Sequence, residues 1–398
     1  MRKNFEFQTI VYCIILICFS FIFATAQSKE ETKSTISTRP FNDGVNHWYY
    51  IKDINNIVDP VPNQPRYQES DYTKIADNIL YFQRNNGGWP KNYDMRAILT
   101  PEQIKNVIKT KPILHTTFDN ATTYTHIYYL AQVYTLTKNE NYKIGCMKGI
   151  DFILKAQFSN GGWPQYYPLE KGYSRHITYN DGAYMGILEM LEKIVSGDPN
   201  FAFLDSKTKN RVSQFCQKGI DCILNTQIVD QGKLTVWCQQ HDEVTLLPAW
   251  ARKFEPPSIC NGESTDIVLF LMDIDKPNER IVKSIQAAVK WFADSKIYNT
   301  RVESFDAPEM ESKYKTITKD TRVVIDSTAR PIWSRYYELG TEKPLFCDRD
   351  SKYLYALADV SRERRVGYAW YTYNPEKVLQ KYPEWQKKWA LATDVLNP

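Results

Sequence analysis

Three short segments place oxygen-bearing side chains where an apolar helical pattern begins. They are Asp119-Asn120, Asn180-Asp181 and Glu263-Ser264. Each one alone is explained by helix capping, because Asp, Asn and Ser side chains accept hydrogen bonds from first-turn N–H groups. If all three met at one rim of the fold, they would offer the carboxylate and amide oxygens that bind a hard cation such as Ca²⁺. The pattern therefore predicts either a cation site or a plain polar rim.

A second set of candidate residues is cationic and interleaved with aromatic residues. Its members are Lys91, Arg175, His176, Arg252, Arg335, Arg349, Arg364 and Arg365. A lone arginine is usually solvated or ion-paired, and the aspartates on both sides of Arg349 fit that simpler reading. Guanidinium groups also bind carboxylates through two parallel hydrogen bonds, while aromatic rings stack on sugar faces. Together with a cation rim, the set is typical of a site for an acidic sugar polymer.

The elements that must position these residues repeat along the chain. The segment FQRNNGGWPKNY begins at residue 82 and AQFSNGGWPQYY at residue 156. Trp89, Trp163 and Trp237 recur at intervals of 74 residues, and each follows a glutamine, namely Gln83, Gln157 and Gln227. The repeat predicts three structural units, with the tryptophan as a wedge between adjacent helices.

Apolar residues between the tryptophans follow the i, i+3, i+4 spacing of amphipathic helices, as in residues 124–134 and 184–195. Strand signals are sparse and limited to runs such as residues 233–238 and 322–325. The pattern predicts an all-α fold, an (α/α)3 toroid resembling an α/α barrel, with short local β-hairpins in the loops.

Composition and the first residues indicate an exported globular protein. The net charge of +4 is too small to imply a nucleic-acid or membrane surface. Arg2 and Lys3 precede an apolar run over residues 10–23, and Ala-Thr-Ala follows at 24–26. This is typical of a secretory signal peptide over residues 1–26, with a retained N-terminal anchor as the alternative. The six cysteines beyond it form no CxxC pattern, so no structural zinc is expected.

Longer segments carry a resemblance to a known family. They are NNGGWPKNYD, TFDNATTYTHIYYLA, SNGGWPQYYP, GYSRHITYNDGAYMGIL, VWCQQHDEVTLLPAWARKFEPPS and RPIWSRYYELGTEKPLFCDRD. From about residue 66 to beyond Tyr371, the chain resembles the pectate lyases of polysaccharide lyase family 10. The resemblance implies an (α/α)3 toroid and calcium-assisted β-elimination on polygalacturonate, giving C4–C5 unsaturated oligogalacturonates. The composition predicts a signal peptide (1–26) and a polar N-terminal extension (27–65), and the resemblance implies that residues 66–398 are a pectate lyase catalytic domain.

The resemblance assigns roles to individual residues. It implies Arg252 as the catalytic base and Asn120 and Asp181 as calcium ligands. On the substrate side it implies Lys91, Asp119, Arg335 and Arg349, and we add His176, which is otherwise a loop histidine that orients its neighbours. Ala121 and His126 depart from the family pattern, where Gly and Gln are common, and both lie beside the Asp-Asn motif and not in it.

The assignment of Arg252 comes from the resemblance and not from its chemistry. A guanidinium has a pKa above about 12, so His176, His241 or Lys91 would be the first choices as a base on chemical grounds alone. An arginine base implies an alkaline optimum, because only a small neutral fraction of arginine accepts a proton.

Other functions remain open at this stage. The Gln-x-x-x-Gly-x-Trp spacing also resembles the QW repeats of α/α-barrel terpene cyclases, although the chain lacks their Asp-rich motif. A non-catalytic protein that binds acidic polysaccharides would keep the aromatic residues and Lys91 but need not keep Arg252. A lyase for another uronate polymer is the third alternative. We expect a monomer that is secreted or periplasmic, with an acidic polysaccharide as its partner and neither nucleic acid nor, after signal cleavage, a membrane.

Overall fold

A computed structural model of the chain describes residues 34–50, 57–312 and 316–397, so the predicted signal peptide lies outside the described residues. The helices are α1 (Asn42–Tyr50), α2 (Tyr72–Phe82), α3 (Pro101–Lys109), α4 (Tyr124–Thr137), α5 (Glu140–Ala156), α6 (Ala183–Val195), α7 (Ser206–Thr226), α8 (Asn261–Asp273), α9 (Glu279–Asp294), α10 (Arg362–Gly367) and α11 (Pro375–Trp389). Ile36–Pro398 group into one compact unit.

The helices pack in consecutive pairs, α4 with α5, α6 with α7 and α8 with α9. The first helices of the pairs also contact one another, because α4 packs on α6 and α6 packs on α8. Their buried residues belong to one continuous hydrophobic core, which includes Ile127, Ile187 and Ile267. The predicted helical hairpins are therefore present. Two of the predicted polar corners, Asp119-Asn120 and Asn180-Asp181, precede α4 and α6, and the third, Glu263-Ser264, lies in the first turn of α8.

Strands make up a second part of the fold. They are β1 (Ile177–Thr178), β2 (Val229–Asp230), β3 (Lys233–Leu234), β4 (Gln240–His241), β5 (Ile259–Cys260), β6 (Thr300–Glu311), β7 (Thr316–Ile325), β8 (Trp333–Ser334), β9 (Tyr336–Tyr337), β10 (Pro344–Cys347), β11 (Tyr353–Leu354) and β12 (Tyr371–Thr372). The order β11-β10-β9-β5 forms a four-stranded antiparallel sheet, and β6 with β7 forms a long two-stranded ribbon.

The prediction of an all-α (α/α)3 toroid is therefore wrong. About 45% of the chain is helical and 15% is strand, and the strands form several antiparallel sheets. Most of the strands have only two residues, which is too short for an alternating pattern to be visible in the sequence. Apart from the buried Ile317, the β6–β7 ribbon is exposed or half-buried on both faces, so it lacks the apolar alternation of a one-sided sheet. The pairing of Ile259 with Tyr337 is also too distant along the chain to be read locally.

Hydrogen bonds explain why a glutamine ends each repeat. The Nε2 atom of Gln83 donates to the carbonyl of Gly145 in α5 at 2.9 Å. Gln157 donates in the same way to Phe215 in α7 at 2.9 Å, and Gln227 to Ser284 in α9 at 3.1 Å. Each glutamine thus ties the end of one helix to the middle of a helix in the next unit.

The tryptophans are buried wedges, as predicted. The indole Nε1 of Trp89 donates to the carbonyl of Ile79 at 2.8 Å, that of Trp163 to Ile153 at 3.0 Å and that of Trp237 to Ile223 at 2.7 Å. Trp333 makes a fourth bond of this kind, to the carbonyl of Phe292 at 2.9 Å, without a Gly-Gly-Trp-Pro motif around it. The loop after the first tryptophan leads directly to Lys91.

The first glycine of each Gly-Gly-Trp-Pro loop is required by its backbone. Gly87 and Gly161 both have φ of +95°, and a Cβ atom would lie 2.4 Å from the carbonyl oxygen of Lys148 or 2.0 Å from that of Lys218. Only glycine fits such a close approach to the neighbouring helix.

Within the described residues, no helix is long and apolar enough to cross a membrane. The six cysteines in the part of the chain that the structure describes are buried free thiols: Cys146, Cys216, Cys222, Cys238, Cys260 and Cys347.

Candidate active site

Five of the predicted site residues line one cavity of about 510 Å³. They are Lys91, Asp119, Asn120, Asp181 and Arg252. Lys91 comes from the loop after Trp89, Asp119 and Asn120 precede α4, and Asp181 lies in a 3-10 turn (Asn180–Gly182) before α6. Residues that are far apart in the sequence therefore meet because successive helix pairs begin on the same side of the fold.

Lys91 is held in the cavity by Asp119 and Tyr166. Its Nζ atom lies 3.1 Å from Oδ2 of Asp119 and 5.9 Å from the centroid of the Tyr166 ring. Burial by itself lowers the pKa of Lys91, but Asp119 and Tyr166 outweigh it and hold that pKa above its ordinary value. Lys91 therefore stays charged and can bind an anionic group.

The oxygens beside Lys91 are not fully satisfied. The Oδ1 atom of Asp119 is buried and has no hydrogen-bond partner among the described residues. Burial and the charge of Asp119 raise the pKa of Asp181 to about 7, because two carboxylates share this end of the cavity. A cation bound beside Asp181 would reduce the repulsion between these two carboxylates.

Asn120 and Asp181 share an unusual backbone conformation. Both have φ of +51°, in the left-handed region that non-glycine residues rarely adopt. The Nδ2 atom of Asn120 donates to Oδ1 of Asn92 at 3.0 Å, which leaves the Asn120 amide oxygen as an acceptor. Such strained conformations are retained where the surrounding structure requires a particular side-chain direction.

Arg252 is oriented by Glu255, a partner three residues later in the chain. The Nε atom of Arg252 lies 2.7 Å from Oε2 of Glu255, and Nη2 lies 2.5 Å from Oε1. Glu255 is 2% exposed and also accepts a hydrogen bond from the hydroxyl of Tyr368 at 2.7 Å. The side chain of Arg252 is 43% exposed, so its guanidinium has one bound edge and one side open to the cavity.

This ion pair changes the pKa of both partners. Burial raises the pKa of Glu255, but the hydrogen bonds from Arg252 outweigh it and bring that pKa to about 2. Burial lowers the pKa of Arg252, but Glu255 outweighs it and holds that pKa above its ordinary value. The neutral form of Arg252 is therefore even scarcer than for a free arginine.

Arg335 lies behind the cavity and does not line it. Its Nη2 atom donates to Oε1 of Glu263 at 2.6 Å and to Oδ1 of Asn180 at 3.4 Å. The third polar corner, Glu263-Ser264, is therefore used in holding Arg335, and only two of the three corners reach the cavity. Because Asn180 precedes Asp181, Arg335 supports the turn that carries Asp181.

His176 and Arg349 also lie outside the cavity lining. The Nδ1 atom of His176 lies 2.8 Å from Oε2 of Glu243. Arg349 pairs with Glu363 at 2.9 Å and stands 5.4 Å from the ring of Phe254, which is also 5.0 Å from the Arg252 guanidinium. Arg349 is therefore near the Arg252 turn, whereas His176 belongs to a separate ion-pair cluster.

Among the described residues, that cluster is the one in which three histidine or acidic side chains lie close enough together to share a metal ion. Ligand atoms of His176, Asp242 and Glu243 lie within 4.8 Å of one another. Arg175 already pairs with Glu243 at 2.5 Å and supplies the positive charge that a metal would bring. The cluster is therefore explained as a set of salt bridges.

Sequence reasoning missed several residues around the cavity. Tyr166, Tyr173, Glu255, His115, Asp43 and His47 also line it. Glu255 lies within the segment ARKFE that drew attention to Arg252, and its spacing of three residues was the available signal. Asp43 and His47 carried no signal, because they fall in a region read only as an extension.

Comparison with known proteins identifies the family. A family model described as pectic acid lyase matches residues 83–379, which is most of the chain. The chain belongs to the pectic acid lyase family. Two solved structures of family 10 polysaccharide lyase from Cellvibrio cellulosa are similar to this lyase at 29% sequence identity. One is a mutant in complex with trigalacturonic acid, with a TM-score of 0.67 over 78% of this chain and 92% of that chain. The other has a TM-score of 0.66 over 78% and 91%.

A comparison with curated proteins gave no match. The family match and the two solved structures nevertheless confirm the resemblance read from the motifs and show that the chain is a polysaccharide lyase. The terpene cyclase and non-catalytic alternatives are therefore wrong. The Gln-Trp repeats of this lyase are structural ties between helices.

Proposed function

We propose that the protein is a secreted pectate lyase that cleaves polygalacturonate by calcium-dependent β-elimination and releases C4–C5 unsaturated oligogalacturonates. The observation that carries the proposal is the cavity, which combines the cations Lys91 and Arg252 with the oxygens of Asp119, Asn120 and Asp181. The trigalacturonic acid in the related Cellvibrio structure supports an acidic oligosaccharide as the ligand.

The oxygen-rich end of the cavity fits a calcium ion. Calcium prefers carboxylate and amide oxygens contributed by separate loops, and Asn120 and Asp181 offer one of each. The buried Oδ1 of Asp119 is an acceptor without a partner among the described residues. We assign Asn120 and Asp181 as ligands and Asp119 to the substrate side. When bound, the ion would withdraw charge from a uronate carboxylate and so make the neighbouring C5 proton more acidic.

Lys91 would bind and orient the uronate. It is positioned by Asp119 and kept charged, and it lies over the ring of Tyr166. A carboxylate that approaches from the cavity would meet the ammonium group, whose position is fixed by Asp119 and by the buried Tyr166. One preorganised donor at such a position contributes roughly 3 kcal/mol to transition-state stabilisation.

Arg252 is the residue we assign to removal of the C5 proton. Glu255 fixes the orientation of the guanidinium and leaves one side open to the cavity. Because Glu255 also holds the pKa of Arg252 above its ordinary value, the neutral form that accepts a proton is scarce near pH 7. The rate should therefore increase with pH through the alkaline range.

Arg335, Arg349 and His176 are retained as predicted substrate-binding residues with different support. Arg335 contacts Asn180 and therefore acts at least on the turn that carries Asp181. Arg349 lies near Phe254 beside the Arg252 turn. His176 is held by Glu243, which favours the alternative role of orienting a loop.

The decisive experiment is incubation with polygalacturonate in the presence of calcium or a chelator. The expected result is a rise in ultraviolet absorbance from C4–C5 unsaturated products that the chelator abolishes. Alginate and glycosaminoglycans serve as parallel substrates. If only alginate or a glycosaminoglycan gave a product, the substrate would be another uronate polymer and not polygalacturonate. If the absorbance still rose in the presence of the chelator, the calcium assignment would be wrong.

We also propose that residues 1–26 are a signal peptide, 27–65 an N-terminal extension and 66–398 the catalytic domain of a monomer. Mass spectrometry of the exported protein should give a mature N-terminus after residue 26, and light scattering should give the mass of one chain. A full-length exported protein would indicate a retained anchor instead.

A further inference from the structure

Helix α1 forms part of the wall of the candidate active site. Asp43 and His47 from this helix line the same cavity as Asp119, Asn120 and Asp181. The helix precedes residues 83–379, the segment that the family model matches. It therefore adds groups to the site from outside the segment that the family model matches.

The position of α1 is fixed by contacts on its other faces. The indole Nε1 of Trp48 donates to the carbonyl of Val58 at 2.7 Å, and the indole is 2% exposed. The hydroxyl of Tyr49 donates to Oδ2 of Asp94 at 3.0 Å. The buried Trp48 indole and the Tyr49–Asp94 hydrogen bond together hold the helix in the wall of the cavity.

The first turn of α1 lies directly against the loop that carries Asn120. A Cβ atom at Gly44 would be 3.9 Å from the carbonyl oxygen of Asn120 and 3.9 Å from the backbone nitrogen of Asn92. Asp43, the residue before Gly44, lines the same cavity as Asn120, the proposed calcium ligand.

The charges of Asp43, Asp119 and Asp181 all act on the same side chain, that of Tyr124. The pKa of Tyr124, the first residue of α4, is raised by burial and then by Glu189, Asp119, Asp181 and Asp43. One side chain thus responds to Asp43, Asp119 and Asp181, three of the five carboxylates that line the cavity, which agrees with their common position in the lining.

We propose that Asp43 is a third carboxylate of the cation-binding end and raises the affinity of the site for a divalent cation through its charge. The inference rests on the calcium site of the proposed function. Among the described residues, these three carboxylates do not all lie within 4.8 Å of one another, so they cannot all bind one ion directly. Asp43 acts across a longer distance, on the ion or on water bound to it.

His47 provides a second way to test the charge. Its Nε2 atom lies 3.9 Å from Oδ1 of Asp43, one helical turn away. His47→Lys would place a permanent positive charge beside Asp43 and cancel its field, whereas Asp43→Asn removes the charge itself. The two variants change different residues and should have the same effect on the cation.

The experiment is calorimetric titration of the full mature chain with CaCl₂ at pH 8 and low salt. The expected result is that Asp43→Asn and His47→Lys each weaken calcium binding about three- to tenfold, and that added NaCl reduces the difference. The matched control is Asp294→Asn, because Asp294 is 58% exposed, close to the 54% of Asp43, and forms an i,i+4 pair with Lys290 away from the cavity. Circular dichroism would verify that all variants keep their helices.

The outcomes separate the two levels of the proposal. If wild-type protein binds no calcium, the calcium site of the proposed function is wrong and the role of Asp43 falls with it. If wild type binds calcium and both α1 variants bind equally well, only the role of Asp43 is wrong. A tighter calcium complex in Asp43→Asn would also overturn the inference.

Discussion

Replacing Glu255 by Gln would remove a buried charge while keeping the shape of the side chain. Glu255 accepts two hydrogen bonds from the Arg252 side chain, one from the Arg252 backbone N–H at 3.0 Å and one from Tyr368. Glutamine has only one acceptor oxygen in its side chain, so it cannot hold both guanidinium nitrogens. The variant therefore tests both the stability of the site and the pKa of Arg252.

The effect on stability follows from the pKa of Glu255, which falls from 4.5 to about 2 on folding. At about 1.4 kcal/mol per pKa unit, this difference corresponds to about 3 kcal/mol, and solvent at the half-exposed guanidinium reduces it to about 2 kcal/mol. Because the folded-state pKa is depressed, the stabilisation is present above pH 4.5 and is lost as pH falls towards 2. Urea unfolding at pH 7 and pH 3 should show a large difference between wild type and Glu255→Gln at pH 7 and a smaller one at pH 3.

The effect of Glu255→Gln on the rate follows from the change in the pKa of Arg252. Two unit charges about 4 Å apart interact by about 4 kcal/mol at an effective dielectric constant of 20, and solvent exposure reduces this to about 2 kcal/mol. Without the carboxylate, the pKa of Arg252 should fall by about one to two units. If Arg252 is the base, the rising limb of kcat/KM against pH moves to lower pH by that amount, even though looser positioning lowers the maximal rate.

The assay is the initial rate of unsaturated-product formation from pH 7 to 11, with Asp151→Asn as the control. Asp151 forms an exposed pair with Arg211 at 2.8 Å, so the control removes a carboxylate from an arginine outside the cavity. An unchanged rising limb in Glu255→Gln would refute the assignment of Arg252 as the titrating base. If Glu255→Gln were as stable as wild type at pH 7, the Arg252–Glu255 ion pair would not contribute the stability calculated above.

Three further predictions concern single positions. Arg252→Lys should lower kcat at least about a hundredfold, because lysine cannot make the two-pronged contact with Glu255 that orients Arg252, and the fold should change little. If steady-state kinetics showed that the variant keeps most of the rate, this prediction would be wrong. Lys91→Gln should raise KM and lower kcat/KM at least about tenfold, whereas an unchanged kcat/KM would remove Lys91 from the substrate site. Gly161→Ala should lower the free energy of unfolding by more than about 2 kcal/mol, because its Cβ would meet the carbonyl oxygen of Lys218 at 2.0 Å. Gly172→Ala, where φ is +92° but nothing lies within 4 Å, should cost only about 1 kcal/mol, and equal losses for both variants in urea unfolding would contradict the steric argument.

Local patterns were sufficient for the helices of the repeating units, but not for α1, α3, α10 and α11, which lie outside the apolar repeat. The spacing of apolar residues over 124–134 and 184–195 predicted α4 and α6, because one buried face imposes the helical period on the sequence. The 74-residue repeat also identified the tryptophans as wedges, since the same contact is made in each unit. The fourth wedge, Trp333, was missed because its loop does not repeat the motif.

The strands were not predictable in the same way. The pairing of β5 with β9 joins residues separated by more than seventy positions, and each strand has only two residues. Such strands are stabilised by their partners and by the surrounding core, so their own composition carries little information.

For the site, the motifs around Lys91, Asp119, Asn120, Asp181 and Arg252 determined which side chains were candidates, because their types limit the chemistry. The sequence alone also determined the family of the chain, through long motifs in a fixed order. Only the tertiary structure decided which candidates share a cavity. It placed Arg335 behind the site and His176 in a separate ion-pair cluster, and it brought Asp43 from the N-terminal extension to the wall beside Asn120. The physical reason is that a side chain acts through distance, burial and partners, and these depend on which helices pack together and not on neighbours along the chain.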